Sequence, residues 1–125
     1  MATVLMVDDS AVSRKVLRNI LEKGGYEVIG EAVNGEEGYL KYKELKPDIV
    51  TMDITMPVMD GIESLSLIKR DNEDTKVIMI TASGQREKMV EALKRGAEEF
   101  ILKPFEEEEI LKTLAYVMEA PDETP

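Results

Sequence analysis

Three aspartates stand where apolar runs stop. Asp8-Asp9 follows the run Thr3–Val7, and Asp53 follows the run over residues 48–52. Two further runs end in a hydroxyl and an ammonium. Thr81-Ala82-Ser83 closes the run over residues 76–81, and Lys103-Pro104-Phe105 follows the run over residues 100–102. The chain has no cysteine and no histidine, which excludes thiols, disulfides and the commonest general base and metal ligand. Chemistry is left to carboxylates, hydroxyls and lysine. A metal bound by such groups is a hard ion with oxygen ligands, such as magnesium. Two carboxylates about 4 Å apart repel by roughly 4 kcal/mol at an effective dielectric of 20, so three in one crevice call for a cation. For any one of these groups a plainer role is open: a loop cap for Asp53, a helix cap for Asp8 or Asp9 with Ser10, a cap for Thr81, a counter-ion for Lys103. Those roles explain the groups singly and explain their joint placement poorly.

The elements that must position these groups alternate in type. Short β-branched or apolar runs at residues 3–7, 27–32, 48–52, 76–81 and 100–102 read as strands. Between them lie stretches with helical spacing. The first carries Val12, Val16, Leu17, Ile20 and Leu21 as one inward stripe, with Ser10 as its N-cap and Gly24-Gly25 as its stop. The second runs from about Asn34 to before Pro47, with Gly38, Tyr42 and Leu45 inward. The third runs from about Gly61 to Arg70 and buries Ile62, Leu65 and Ile68. The fourth runs from about Gln85 to Arg95, with Met89, Val90 and Leu93 inward. The last starts near Glu106 and carries Ile110, Leu111, Leu114, Val117 and Met118.

Strict alternation with short connections predicts a parallel sheet joined by right-handed crossovers and covered by helices on both faces. The fold class is α/β, a doubly wound three-layer sandwich. With strand order 2-1-3-4-5, the first and third strands are neighbours and the acids meet at the switch point between them. Pro47 launches the third strand and Met56-Pro57 forbids further pairing, so Asp53 ends a central strand where open sheets bind ligands. Asp53 is read as the reactive group.

The chain has 125 residues, 43% apolar and 34% charged, which suits one soluble domain with one core. Its formal net charge of −10 argues against nucleic acid and anionic membranes as partners. The first apolar run is too short for a signal peptide and no stretch is long enough to span a bilayer, so a cytoplasmic location is expected. Residues 120–125 read as a short frayed tail after a domain of residues 1–119.

Asp8-Asp9, Asp53 with Met56-Pro57-Val58-Met59-Asp60-Gly61, Thr81-Ala82 and Lys103-Pro104-Phe105, in that order, resemble the receiver domain of two-component response regulators. The likeness runs from about Thr3 to Met118 and is strongest to single-domain, CheY-like chemotaxis regulators, which in part supplies the flavodoxin-like (βα)5 strand order above. It implies that Asp53 accepts a phosphoryl group from a phosphohistidine of a CheA-like kinase. Magnesium would be held by Asp9, Asp53 and the Thr55 backbone carbonyl, with Asp8 acting directly or through water. Lys103 and Thr81 would contact phosphoryl oxygens, a small Ala82 would leave them accessible, and the Lys103–Pro104 bond would be cis. By the same resemblance, Thr55 and Ser83, two positions after Asp53 and Thr81, would tune the lifetime of the modification. Thr81 and the aromatic Phe100 would form the switch, although a phenylalanine lacks the tyrosine hydroxyl and would otherwise be an ordinary core residue.

The resemblance further implies an output face on the fourth helix, fifth strand and fifth helix, with Gln85, Arg86, Lys88, Ala92 and Arg95 exposed there. Partners would be the kinase, a protein target such as a flagellar motor switch protein and, in such systems, a phosphatase; the receiver itself would be a monomer. An intermediate that passes its phosphate to a histidine phosphotransfer protein is the alternative within the family. A magnesium-dependent phosphohydrolase, or a nucleotide- or flavin-binding domain, is the alternative outside it. The first strand opens into Asp8-Asp9-Ser10 with no Gly-rich loop, which disfavours the nucleotide reading.

Overall fold

The structure, a computed structural model, describes residues 1–119, so the tail expected at 120–125 lies outside the described residues. The elements alternate throughout. They are β1 (Thr3–Val7), α1 (Ala11–Lys23), β2 (Glu27–Ala32), α2 (Gly35–Leu45), β3 (Ile49–Met52), α3 (Gly61–Asp71), β4 (Lys76–Ala82), α4 (Arg86–Lys94), β5 (Glu99–Lys103) and α5 (Glu107–Glu119). All strands pair in parallel in the order β2-β1-β3-β4-β5, which is the expected order.

The two-residue period of a strand sends alternate side chains to opposite faces. Val4, Met6, Ile49, Ile78, Ile80 and Ile101 form one core with Leu17, Ile20 and Leu21 of α1 and Ile110, Leu114 and Val117 of α5. Leu5, Val7, Val50, Met52, Val77 and Met79 form the other with Tyr42, Ile62, Leu65, Ile68, Met89 and Ala92 of α2, α3 and α4. A strand whose two faces are both buried reads as an unbroken apolar run, which is why β1, β3 and β4 were legible. Three helices begin at polar caps: Ser10, Asn34 and Asp60 each accept from the backbone N–H three residues on.

The buried stripes of the helices are narrower than their spacing predicts. In α1, Val12 is 74% exposed and Val16 44% exposed; both line an open groove with Lys103, Pro104 and Phe105, while Leu17 on the same helix packs into the core. In α4, Met89 and Ala92 are the buried pair, while Val90 and Leu93 lie at the surface. Ala92, expected to be exposed on the output face, is therefore a core residue. Met118 of α5 is also exposed. No helix among the described residues is long and apolar enough to cross a membrane.

Candidate functional site

The chemistry-bearing residues sit one step beyond the paired strands. Val7 is opposite Met52, and the ladder runs on for one bond, the Asp53 N–H donating to the Val7 carbonyl at 3.0 Å. The Asp8 N–H likewise donates to the Ala32 carbonyl at 3.0 Å. These backbone bonds fix Asp8 and Asp53 side by side at the carboxyl edge. Ala82 pairs with Lys103 at the ends of β4 and β5 and completes that edge. Ligand oxygens of Asp8, Asp9 and Asp53 all lie within 4.8 Å of one another.

Each acid is engaged differently. Asp8 is buried; its Oδ1 accepts the Ser10 N–H at 2.9 Å and its Oδ2 accepts Lys103 Nζ at 2.8 Å. Asp53 is buried as well, with Oδ1 accepting the Ile54 N–H at 2.7 Å and Oδ2 accepting Lys103 Nζ at 3.1 Å. Asp9 is exposed, and its carboxylate accepts no hydrogen bond among the described residues. Three carboxylates against one ammonium leave two net negative charges. That residue of charge, on oxygen ligands alone, suits a divalent hard cation. The Lys103 ammonium is pulled down by burial, but the bond to Asp8 and the charges of Asp53 and Asp8 outweigh this. Its pKa lies above the ordinary lysine range.

The remaining expected residues take distinct positions. Thr81 is 1% exposed, and its hydroxyl has no hydrogen-bond partner among the described residues, an unusual state for a buried polar group. Ala82 and Ser83 are exposed beside it. The Lys103–Pro104 peptide is cis. Thr55 is exposed, its hydroxyl held by the Gln85 amide. Phe100 stands partly exposed on the edge strand β5 and is not the buried core side chain that a plain reading would give it.

Two supporting contacts are visible only in the structure. A Cβ at Gly61 would stand 1.9 Å from the Asp53 carbonyl oxygen, so the start of α3 can press on the strand end only through a glycine. Arg14 donates to the Asp8 carbonyl at 2.6 Å and to Glu31 at 2.8 Å, bracing the loop that carries the acid pair. Neither contact leaves a periodic signal in the sequence.

The family model of the response regulator receiver domain matches residues 4–115. The chain belongs to the response regulator receiver domain family. It is a signalling receiver domain of two-component systems, which sets aside the phosphohydrolase and nucleotide- or flavin-binding readings. Among relatives of this receiver, the chemotaxis protein CheY of Thermotoga maritima is 51% identical over 111 residues, 89% of this chain and 92% of that protein. CheY of Listeria monocytogenes is 47% identical over 114 residues, 91% of this chain and 96% of that protein. A solved CheX–CheY–BeF3–Mg complex from Borrelia burgdorferi contains a chain with a TM-score of 0.90 and 41% identity, covering 94% of this receiver and 89% of that chain.

Proposed function

We propose that residues 1–119 act as one receiver unit in a chemotaxis-type pathway of the cytoplasm, with Asp53 as phosphoacceptor. The observation that carries this reading is the crevice itself: three carboxylates within 4.8 Å, two of them bridged by Lys103. An Asp53 carboxylate oxygen attacks the phosphorus of a kinase phosphohistidine. A phosphorus–oxygen bond forms, the phosphorus–nitrogen bond breaks, and the imidazole leaves with the electron pair and takes up a proton. A carboxylate is a weak nucleophile, so the protein's part is positioning and charge neutralisation. Lys103 already spans Asp8 and Asp53 and holds a positive charge where phosphoryl oxygens arrive. The Thr81 hydroxyl, without a partner among the described residues, supplies a donor to another of them.

Asp9, Asp53 and the Thr55 carbonyl would hold magnesium, with Asp8 acting directly or through water. The donor set fits, being all oxygen with two negative charges to spare. When bound, the ion neutralises charge that develops during phosphoryl transfer. The same site would release phosphate slowly to water, with the short, polar Thr55 and Ser83 giving modest hindrance.

The modification adds charge at the crevice and acts by biasing a two-state element. Drawing the Thr81 hydroxyl toward the phosphoryl group lets the edge-strand Phe100 turn inward. The same elements of the expected output face leave apolar side chains exposed, Val90 and Leu93 on α4, Leu102 on β5 and Tyr116 on α5. That surface fits a protein target such as a flagellar motor switch protein. The solved CheX–CheY complex supports contact with a further chemotaxis protein, and a phosphatase would be another partner of this receiver.

Acetyl phosphate with magnesium should modify one site, and Asp53→Asn should abolish the modification. Continued labelling of that variant would reject Asp53 as acceptor. Lys103→Ala should still accept the phosphoryl group yet fail to switch. Pull-down with and without beryllofluoride separates a motor-type target from a histidine phosphotransfer protein.

A further inference from the structure

The connection from β4 to α4 carries a side chain whose placement the phosphoacceptor chemistry does not use. Gln85 stands at the N-cap position of α4, and its side chain makes no capping bond to that helix. In α1, α2 and α3 the cap side chain turns back onto its own first turn. The Gln85 amide reaches away instead, donating from Nε2 to Thr55 Oγ1 at 3.1 Å. Thr55 lies two residues after Asp53, and Gln85 lies four residues after Thr81. The bond therefore joins the loop that follows the acceptor to the loop that follows Thr81, whose hydroxyl has no partner among the described residues. Gly84, at φ +92, precedes Gln85 and allows the chain to turn there.

We propose that the Gln85–Thr55 hydrogen bond is a latch that holds the β4–α4 connection away from Asp53 and sets how readily the phosphorylated arrangement forms. The inference rests on the receiver reading, in which the Thr81 hydroxyl moves toward a phosphoryl group on Asp53. Thr81 and Gln85 share one short connection, so that movement displaces Gln85 relative to Thr55. The Thr55 side has less freedom, because the Gly61 N–H donates to the Ile54 carbonyl at 2.7 Å and ties the loop to α3. The latch must therefore open from the Gln85 side. Since Gln85 opens α4, the same event frees the first turn of a helix on the apolar face. Gln85 is thus a positioning residue that touches no reacting atom.

A bond between two neutral groups near the surface contributes modestly, so its loss should shift the equilibrium about two- to fivefold. The full chain is titrated with beryllofluoride in the presence of magnesium, by calorimetry. Gln85→Met keeps the length of the side chain and removes the donor; it should tighten beryllofluoride binding by that factor. In the background of Thr55→Val the same substitution should have no effect, since the bond is already gone. Magnesium affinity measured without beryllofluoride should be equal in the Gln85→Met and unsubstituted proteins, which separates the latch from a general disturbance of the crevice. Unchanged beryllofluoride affinity in Gln85→Met, or an undiminished effect in the Thr55→Val background, overturns the latch and leaves the receiver reading standing. If the unsubstituted chain takes up no beryllofluoride with magnesium, the phosphoacceptor reading of Asp53 fails and the latch falls with it.

Discussion

Asp9 in the crevice and Val58 in the loop after β3 each hold free energy that a single substitution can measure. Asp9 carries a charge without a partner among the described residues and stands beside two other acids, so removing the charge should relieve repulsion when no cation is present. Asp9→Asn is expected to raise stability in metal-free buffer by on the order of 1 kcal/mol, read by urea unfolding. Magnesium should stabilise the unsubstituted chain by about 2.7 kcal/mol at one hundred times its dissociation constant, and Asp9→Asn much less. Equal stabilisation of both would remove Asp9 from the ion site. Val58 adopts φ +69 at the tip of the β3–α3 loop, where the Met59 N–H donates to the Pro57 carbonyl at 2.7 Å. Few β-branched residues tolerate that tight γ-turn, and Val58 is 76% exposed, so it gains no packing in return. Val58→Gly should stabilise the protein by about 0.5–1 kcal/mol, less than the full cost of the left-handed conformation because glycine frees the unfolded chain. A loss of stability would mean that the valine side chain has a contact that matters.

At the scale of elements, α1 separates what periodicity can say from what packing decides. Leu21 is fully buried and Val16 is not, although both lie on the stripe read from spacing. Leu21→Ala is expected to cost about 2–5 kcal/mol and Val16→Ala well under 1, by urea unfolding. Comparable losses would restore the single stripe. The same helix is tied to β2 through Glu31, which accepts from Arg18 Nη2 at 2.7 Å and Arg14 Nε at 2.8 Å. The Arg18 bond holds the Glu31 carboxyl below the usual range; burial opposes this, and Arg14 adds to the lowering. A carboxyl with a depressed folded pKa contributes stability that is present above its unfolded value, near pH 4.3. That contribution is lost as pH falls through the lower folded value. Glu31→Gln should therefore narrow the stability difference between pH 7 and pH 3. The pair is a third exposed, so the effect is expected to be no more than about 1 kcal/mol. An unchanged acid profile would show that the two arginines do no more than lie nearby.

For the molecule as a whole, two cores share one sheet, and neither can lose its strands without exposing the other. Unfolding should be a single cooperative transition, with Leu21→Ala on one face and Leu65→Ala on the other both shifting the same midpoint. Two separated transitions would mean that the faces are independent. The formal charge of −10 surrounds this body, yet the surface of α4, β5 and α5 keeps Val90, Leu93, Phe100, Leu102 and Tyr116 partly exposed. Charge keeps the chain dispersed in solution, and the apolar face supplies the area a partner can bury.

The sequence alone determined the order of elements, the parallel sheet and the four strand ends that hold Asp8, Asp9, Asp53, Thr81 and Lys103. It could do so because a strand buried on both faces must be apolar along its length, and a polar residue at its end is a break that spacing reveals. The tertiary structure alone decided which flank of a helix meets the sheet, exposing Val12, Val16, Val90 and Leu93 and burying Ala92. It alone brought Arg14 to the Asp8 carbonyl, Gly61 against Asp53 and Gln85 to Thr55. Those contacts join residues far apart in the chain or separated by a turn. They depend on the angle and height at which elements pack, which no local pattern encodes.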